Sequence, residues 1–258
     1  MKYFICGTGF VFPRHVQAIA KVKGEFAEIV NGNRNIETWK EAIDKADYDV
    51  AVILTPPDFH YPMILRAMER NKIILCEKPL VINEQDLEAI KDYDKLYTVA
   101  QLRYLDIGSN FTNLTHLNQY DINMRVAVHR DADYFKKWQG QPMRSGGILY
   151  NLGIHYFDLL LHIFGPALNV LDIKLDDKNA SGVIVGANYN ARFYFSTDTA
   201  ENEQERVFSI NGREFDLAGE TDKLYQKVYQ DLERGKGVKV QDVISTINLI
   251  EKIKYEAR

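Results

Sequence analysis

The sequence lacks a long apolar run, a high cysteine content and a large excess of either charge. No apolar run reaches the roughly 20 residues that a membrane-spanning helix needs, which argues against an integral membrane protein. The net charge of -4 comes from 32 basic and 36 acidic residues interspersed along the chain, so the sequence gives no reason to expect nucleic-acid binding. The first residues pass directly into a glycine turn, which predicts a first strand, no secretory signal and a cytoplasmic protein.

Only two cysteines, Cys6 and Cys76, are present. Each ends a predicted buried strand, so we expect both to be small buried hydrophobic residues; a disulfide or a shared metal ion is the alternative. Internal repeats and low-complexity linkers are absent from the sequence as well. The 258 residues are 46% hydrophobic and 12% aromatic, which predicts a globular protein with one large or two modest domains.

The first hundred residues alternate short apolar strand patterns with helical ones. This alternation is typical of a parallel sheet covered by helices on both faces, and we predict a nucleotide-binding domain over residues 1–100. Asn83 is a good N-cap for the last of these helices. The predicted strands are Lys2–Cys6, Phe26–Val30, Asp49–Leu54, Lys72–Cys76 and Leu96–Val99, and the predicted helices are Phe12–Lys23, Ile36–Lys45, Tyr61–Arg70 and Glu84–Tyr93.

After Gln101 the pattern changes to long β-rich stretches. Asn211-Gly212 is a two-residue hairpin signal, and consecutive hairpins predict a large, mostly antiparallel open sheet. We predict an α+β domain over residues 101–258, with packing of the final helices on the first domain left open. The predicted strands are Tyr120–His129, Asn169–Leu175, Ser181–Tyr189, Ala191–Ser196, Val207–Ile210 and Glu214–Leu217, and the predicted helices are Ile107–Gln119, Leu149–Phe164, Thr221–Glu233 and Val240–Tyr255.

Polar or turn residues follow four of the predicted parallel strands. Ligands bind beyond the carboxyl ends of the strands in such a sheet. Two glycines after the first strand let the backbone approach a pyrophosphate at a helix start, although such glycines also occur in plain strand–helix connections. The residues predicted to contact the cofactor are Gly7, Gly9, Phe10, Val11, Asn31, Thr55, Pro56, His60, Glu77, Lys78 and Gln101.

The predicted cofactor is NAD, with NADP left open. Phe12 stands at the third glycine position of the dinucleotide fingerprint, and the acidic residue expected about 20 residues further on is missing. Asn31 can still bond a ribose hydroxyl, and Arg34 could attract a 2′-phosphate. A simple turn at Asn31-Gly32-Asn33 is the other interpretation.

Glu77 and Lys78 leave a buried strand at this same edge. Burying an ammonium is costly, and a partly desolvated amine can exchange a proton with a sugar hydroxyl, so Lys78 is a candidate catalytic residue. An internal Glu77–Lys78 ion pair that caps the strand is the structural alternative. Pro79 fixes the turn, and we expect the Lys78–Pro79 bond to be cis.

One polar stripe runs along the predicted helix 149–164. Asn151, His155, Asp158 and His162 recur at i, i+4, i+7 and i+11 on an otherwise apolar helix. We predict that His155, the second candidate catalytic residue, faces a reacting sugar and that Asp158 steadies it. Satisfied core histidines and a metal site of His155, Asp158 and His162 are the alternatives, and no metal is predicted.

Aromatic residues stand beside cationic ones in the segment 134–144. Such a loop suits an anionic, ring-bearing ligand such as a nucleotide diphosphate sugar, and a solvated basic loop is the alternative. The predicted substrate-binding residues are Lys78, Arg103, Lys137, Trp138, Arg144, Asn151 and His155.

At these residues the chain resembles the glucose–fructose oxidoreductase / inositol dehydrogenase (Gfo/Idh/MocA) family. The family's Glu-Lys-Pro motif matches Glu77-Lys78-Pro79, and its glycine-rich helix motif ending in His-x-x-Asp matches Gly146–Asp158. Within the family, the chain is similar to the UDP-N-acetyl-2-amino-2-deoxyglucuronate dehydrogenases of surface-polysaccharide (lipopolysaccharide) biosynthesis. That likeness rests on Pro13-Arg14-His15, Gln101-Leu102-Arg103, the Trp138–Pro142 loop and Asn151.

The resemblance implies a Rossmann domain joined to a domain with a large open sheet, through which homo-oligomers, dimers or tetramers, form. It implies oxidation of a ring hydroxyl, at C3, of a UDP-linked N-acetylhexosaminuronic acid, with hydride transfer to nicotinamide. Lys78 and His155 match the family's proton-transfer pair, and 2-oxoglutarate is the implied reoxidant.

Two departures from the family pattern leave alternatives open. The chain is shorter than the subgroup's usual length, mainly in the second strand–helix unit and the tail, and it lacks the ribose carboxylate. A dehydrogenase of a free sugar or cyclitol is one alternative, against which the basic Trp138 loop argues. A non-catalytic dinucleotide-binding sensor is another: the weakened fingerprint favours it, and the retention of both Lys78 and His155 argues against it.

Overall fold

The computed structural model describes residues 1–31, 36–108, 119–217 and 221–258. The predicted helix 107–119 lies largely outside the described residues, as do Arg34 and most of the predicted 31–33 turn. The chain divides into two compact units, Met1–Tyr104 with Glu220–Ile244, and Leu105–Gly219 with Ser245–Arg258.

The first unit contains a parallel sheet, as predicted. Its strands are β1 (Lys2–Cys6), β2 (Glu25–Val30), β3 (Val50–Ile53), β4 (Ile73–Cys76) and β5 (Leu96–Thr98), in the order β2-β1-β3-β4-β5. The almost uninterrupted apolar runs of β3 and β4 are typical of strands buried on both faces. The predicted helices form as α1 (Phe12–Lys21), α2 (Ile36–Lys45), α3 (His60–Glu69) and α4 (Glu84–Ile90), and Asn83 caps α4 by accepting a hydrogen bond from the Asp86 backbone N–H.

The strand order creates a switch point in this sheet. From β1 the chain crosses to β2 on one side and then returns to β3 on the other side of β1. The register pairs Cys6 with Ile53 and Ile53 with Cys76, so β1, β3 and β4 end at the same level. Open parallel sheets bind ligands beyond the strand ends at such a point.

A helix from the end of the chain completes the core of the first unit. This helix, α8 (Thr221–Glu233), packs one face against α1 and the sheet. Its residues Tyr225 and Tyr229 are spaced i, i+4 and therefore lie on that same face. The α8 residues buried in this cluster are Tyr225, Val228, Tyr229 and Leu232.

The second unit contains a six-stranded sheet that is mostly antiparallel, as predicted. Its order is β11-β10-β6-β9-β8-β7, and the Asn211-Gly212 hairpin is confirmed, with φ values of 50° and 78°. The pair β6–β9 is parallel, which consecutive hairpins did not predict. The strands are β6 (Tyr120–Ala127), β7 (Ala167–Leu175), β8 (Asn179–Gly186), β9 (Tyr189–Ser196), β10 (Glu205–Ile210) and β11 (Arg213–Glu214).

The described helices of the second unit include three between β6 and β7: α5 (Ala132–Lys136), α6 (Pro142–Ser145) and α7 (Ile154–Phe164). The predicted helix 149–164 forms, with Leu149–Gly153 as a π-helical turn in place of an α-helical one. Gly153 accounts for the close packing there, since a Cβ at this position would lie 2.9 Å from the Phe157 ring and 3.0 Å from the Phe195 ring. The last helix, α9 (Val240–Glu256), contributes residues to both units.

Cys6 and Cys76 are free and buried, which confirms that they are small core residues. Burial raises the pKa of the Cys6 thiol to about 12 and that of Cys76 well above its usual value. Among the described residues, no helix has both the length and the apolar character needed to cross a bilayer.

Candidate functional site

The two glycines after β1 have different structural roles. Gly7 has a φ of 112°, and a Cβ there would lie 2.7 Å from the Leu54 carbonyl group and 2.9 Å from the Thr55 nitrogen. Gly7 is therefore required where β1 meets the end of β3. A Cβ on Gly9 would meet nothing within 4 Å in the described part of the chain, so this position borders open space.

The turn leads into α1, whose first turn carries no acidic side chain and, within the described ranges, no side-chain cap. Phe10 is 85% exposed, and the Arg14 guanidinium lies 5.3 Å from its ring centroid. Val11 is half-buried directly before α1, and Asn31 is exposed at the end of β2. An uncapped helix start beside open space suits a phosphate group.

His60 joins the connections that follow β3 and β4. Its Nε2 lies 2.8 Å from the Thr55 carbonyl oxygen, and its Nδ1 lies 2.6 Å from the Pro79 carbonyl oxygen. Full burial lowers the pKa of His60, against the opposing effect of the two carbonyl groups. Thr55 and Pro56 are also buried. Both nitrogens of His60 are thus engaged within the first unit.

Glu77 is the centre of a buried polar cluster. Its Oε1 accepts hydrogen bonds from His15 Nε2 and from the Tyr225 hydroxyl, each at 2.9 Å, and its Oε2 accepts from the Lys78 backbone N–H at 3.1 Å. Burial disfavours the carboxylate, but the hydrogen bond and electrostatic interaction with His15, the charge of Lys78 and the hydrogen bond from Tyr225 outweigh it and lower the pKa of Glu77 to about 2. Glu77 is therefore a buried carboxylate at neutral pH.

The cluster continues from His15 to α8. The Tyr229 hydroxyl lies 2.7 Å from His15 Nδ1, and both residues are fully buried. Burial raises the pKa of Tyr229 far above its usual range, so its hydroxyl keeps a proton to donate. Because a carboxylate only accepts, His15 Nε2 donates to Glu77. We name His15, Glu77, Tyr225 and Tyr229 the Glu77 cluster.

Our sequence reasoning missed three members of this cluster as functional residues. His15 entered only as part of a family motif, and the two tyrosines did not enter at all. The one available signal was the position of His15, which is four residues before the buried Ile19 on the apolar face of α1.

Lys78 is half-buried and follows Glu77 directly at the carboxyl edge of β4. The Lys78–Pro79 bond is cis, which confirms the prediction. An isolated Glu77–Lys78 ion pair does not describe all the contacts of Glu77, because its carboxylate also accepts hydrogen bonds from two other side chains. The charge of Lys78 nevertheless acts on Glu77, since it contributes to lowering the pKa of that carboxyl.

Two further predicted residues follow β5. Gln101 is buried, and its Oε1 atom has no hydrogen-bond partner among the residues that the structure describes. Such an unsatisfied acceptor at a strand edge suits an N–H donor of a ligand. Arg103 is half-buried and donates from Nη2 to the Asp242 carbonyl oxygen at 2.7 Å.

The predicted histidine stripe lies in the second unit. His155 is half-buried in the first turn of α7, Asp158 is buried and accepts a hydrogen bond from Thr246 at 3.2 Å, and His162 is exposed. The π-helical turn displaces Asn151 from the α-helical i, i+4 alignment with His155 that was predicted. The described residues contain no group of three or more potential metal ligands, which leaves the alternative metal site without support.

Asn151 borders a cavity of about 180 Å³ in the second unit. Its Nδ2 donates to the Gln139 carbonyl oxygen at 2.8 Å. The segment 134–144, predicted as a loop, instead forms short helical turns, with Lys137 exposed and Trp138 and Arg144 half-buried. The cavity also contains two hairpin residues that sequence reasoning missed; its lining includes Tyr134, Phe135, Gln139, Asn151, Asp177 and Lys178.

These features of the first unit fit a bound dinucleotide. Gly9 and the start of α1 would face the pyrophosphate, and the buried Gln101 Oε1 supplies an acceptor at the same sheet edge. Asn31 would face the adenosine ribose at the end of β2.

Two family models match the chain and together span well over half of it. Residues 1–99 match "Oxidoreductase family, NAD-binding Rossmann fold", and residues 113–201 match "Oxidoreductase family, C-terminal alpha/beta domain", both of the Gfo/Idh/MocA family. Among curated relatives, the chain is similar to Oxidoreductase P35 of Formosa agariphila, 30% identical over 155 residues that cover 54% of this chain and 48% of that protein. The chain thus spans about half the length of the curated relatives it matches.

Two solved structures share the fold along nearly the whole chain. The WlbA (WbpB) dehydrogenase of Thermus thermophilus, solved with NAD and alpha-ketoglutarate, has a TM-score of 0.84 and 24% identity, over 98% of this chain and 94% of that one. The WlbA dehydrogenase of Bordetella pertussis, solved with NADH and UDP-GlcNAcA, has a TM-score of 0.84 and 18% identity, over 100% and 96% of the two chains. With its NAD-binding Rossmann domain and C-terminal α/β domain, this chain belongs to the Gfo/Idh/MocA oxidoreductase family.

Proposed function

We propose that the protein is an NAD-dependent dehydrogenase that oxidises a ring hydroxyl, at C3, of a UDP-linked N-acetylhexosaminuronic acid, with 2-oxoglutarate as the reoxidant. The observation that carries the proposal is the presentation of Lys78 at the sheet edge where the cofactor residues lie. The fold shared with two WlbA dehydrogenases, solved with UDP-GlcNAcA and with alpha-ketoglutarate, supports the substrate and reoxidant classes.

The sheet register supports a role of Lys78 beside the cofactor. Cys6, Ile53 and Cys76 lie at one level on adjacent strands. Neighbouring strands are about 4.8 Å apart, so the turns at Gly7 and Lys78 start about 10 Å from each other. The Glu77 backbone N–H donates to the Ile53 carbonyl oxygen at 2.9 Å, so β3 and β4 stay paired up to the start of the Lys78 turn.

The proposed chemistry divides between the cofactor and the side chains. NAD, when bound, supplies the nicotinamide that accepts the hydride from the carbinol carbon. The hydroxyl proton goes to the neutral amine of Lys78, which acts as general base. His155 is proposed as the second member of the proton-transfer pair. Arg103, Lys137, Trp138, Arg144 and Asn151 are proposed to bind the rest of the substrate.

We further propose that copies of the chain associate through the open face of the six-stranded sheet, as dimers or tetramers. One face of the sheet carries buried residues such as Ile122, Ile184 and Ala191, which pair across neighbouring strands. The register puts Leu171, Val183 and Arg192 together on the other face, which we name the open face. Leu171 is 46% exposed there, and exposed apolar residues on a sheet face favour association.

The function is tested by following NADH absorbance after the protein is mixed with NAD and UDP-N-acetylglucosaminuronic acid. A rise to one equivalent, followed by turnover when 2-oxoglutarate is added, is the expected result. Binding of NAD without any absorbance change would contradict the nucleotide-sugar proposal. The same assay with free sugars and cyclitols would then separate a dehydrogenase of those substrates from a non-catalytic sensor.

Lys78→Met is the matched test of the proposed base. We expect turnover to fall by about 10²-fold or more while NAD still binds, because general-base catalysis contributes about this much. Lys45→Met is the control, since Lys45 is an exposed side chain that pairs with Glu41 at the surface of α2. Unchanged turnover in Lys78→Met would end the assignment of Lys78.

A further inference from the structure

We propose that His15 is a positioning residue that acts on Lys78 through Glu77. The inference rests on the proposed function in one respect, namely that Lys78 is the group that exchanges the proton. No part of it depends on which sugar is the substrate.

The two oxygens of the Glu77 carboxylate have different partners. Oε2 accepts the backbone N–H of Lys78 at 3.1 Å, which holds the carboxylate against the first peptide of the Lys78 turn. Oε1 accepts from His15 and from Tyr225, each at 2.9 Å. The orientation of Oε2 is therefore determined by the two donors that hold Oε1.

His15 is itself held in one orientation. It is fully buried, and its second nitrogen lies 2.7 Å from the hydroxyl of Tyr229, a fully buried residue on α8. The His15 ring also makes edge contacts with the rings of Tyr225 and Tyr229, at centroid distances of 5.0 and 5.7 Å. A ring fixed by packing and by bonds at both nitrogens can only present Nε2 to Glu77.

The chemical consequence for Lys78 is electrostatic. Two hydrogen bonds to Oε1 draw carboxylate charge away from the amine, so Glu77 stabilises the Lys78 ammonium less than a bare buried carboxylate would. Removing a donor leaves more uncompensated negative charge beside Lys78 and favours its protonated form. The other titratable groups around Glu77 come from each element packed on it: His15 from α1, His60 from α3, Cys76 from β4, and Tyr225 and Tyr229 from α8.

The test measures Lys78 directly and needs no substrate. The full-length protein is acylated with trace acetic anhydride at a series of pH values, and the label on Lys78 is quantified by mass spectrometry. Because only the neutral amine reacts, the pH of half-maximal labelling reports its protonation. In His15→Phe this midpoint is expected to rise by about half a pH unit or more, since a buried carboxylate loses one of its donors.

Three further variants separate this role from simple packing. His15→Gln offers an amide N–H near the position of Nε2 and is expected to return the midpoint toward the wild-type value. Tyr225→Phe deletes only the hydroxyl group that is the second donor to Glu77, and it is expected to raise the labelling midpoint. Tyr3→Phe is the control, because the Tyr3 hydroxyl bonds Glu233 at 3.1 Å and its ring packs on Tyr229 without a bond to Glu77.

A wild-type midpoint in folded His15→Phe or in Tyr225→Phe would overturn the proposal. An equal shift in Tyr3→Phe would overturn it as well, because packing alone would then account for the change. If the labelling results agree with the proposal while the wild-type protein reduces no NAD with any sugar, the control of Lys78 by His15 stands and the proposed dehydrogenase function fails.

Discussion

Glu77 has partners in the structure that the sequence did not predict. A glutamate next to Lys78 suggests either a cofactor contact or an ion pair. In the fold, the Glu77 carboxylate is buried and accepts hydrogen bonds from His15, Tyr225 and the Lys78 backbone. Its main contact is therefore with the interior of the first unit, which makes Glu77 a support for the turn that carries Lys78.

This burial predicts a specific acid sensitivity. The pKa of Glu77 is lowered from 4.5 to about 2, so its stabilising effect is complete above pH 4.5 and is lost as the pH falls through about 2. The shift corresponds to about 3 kcal/mol of unfolding free energy. We expect urea unfolding of Glu77→Gln, measured between pH 6 and pH 2, to lack this part of the pH dependence.

Glu88→Gln is the matched control for this measurement. Glu88 pairs with Lys91 at the surface of α4 and is itself mostly exposed, so its removal should leave the pH dependence close to that of the wild-type protein. If Glu77→Gln and the wild-type protein lost stability in parallel over this range, the buried-carboxylate assignment would be wrong.

At the scale of elements, the turn between β1 and α1 contains two glycines with different roles. Gly7 is needed for folding, and Gly9 is proposed to make room for the cofactor. Gly7 has positive φ and no room for a Cβ beside Leu54. Gly9 has room for a Cβ in the described part of the protein. Substitution by alanine is therefore expected to affect stability at one glycine and NAD binding at the other.

Gly7→Ala is expected to destabilise the protein by about 2 kcal/mol or more, because it combines strain at positive φ with a backbone clash. Gly9→Ala is expected to keep the wild-type melting temperature but to weaken NAD binding, since the new methyl group would occupy the space proposed for the pyrophosphate. Thermal melts and NAD titration of both variants check this pair. Wild-type NAD affinity in Gly9→Ala would contradict the proposed position of the pyrophosphate.

At the scale of the whole molecule, the open face of the second sheet is the proposed contact between copies of the chain. Leu171→Lys introduces a charge into this face and is expected to lower the mass measured by light scattering after size-exclusion chromatography, with the circular dichroism spectrum unchanged. Phe26→Lys is the control, because Phe26 is exposed to a similar degree, 42%, on β2 of the other sheet. An unchanged mass for Leu171→Lys would place the interface elsewhere.

Much of the fold could be predicted because it depends on local patterns. Apolar runs, glycine turns and the Asn211-Gly212 pair are readable over a few residues, and the parallel sheet, the hairpin and the strand end at Lys78 all follow from them. The cis bond at Lys78–Pro79 was predicted on the same local basis. The π-helical turn at Leu149–Gly153 was not predicted, because the apolar spacing of the segment is also compatible with an α-helix.

By itself, the sequence determined the order of strands and helices, the parallel nucleotide-binding sheet and the residues at its carboxyl edge. These features depend on hydrophobic periodicity and on turn residues, which act between near neighbours in the chain. Only the tertiary structure decided the parallel pairing of β6 with β9 and the partners of Glu77. His15 and Tyr229 are 214 positions apart, and Tyr225 is 148 positions from Glu77. Such contacts form when α8 packs against α1, and no local pattern specifies which buried polar groups will then meet.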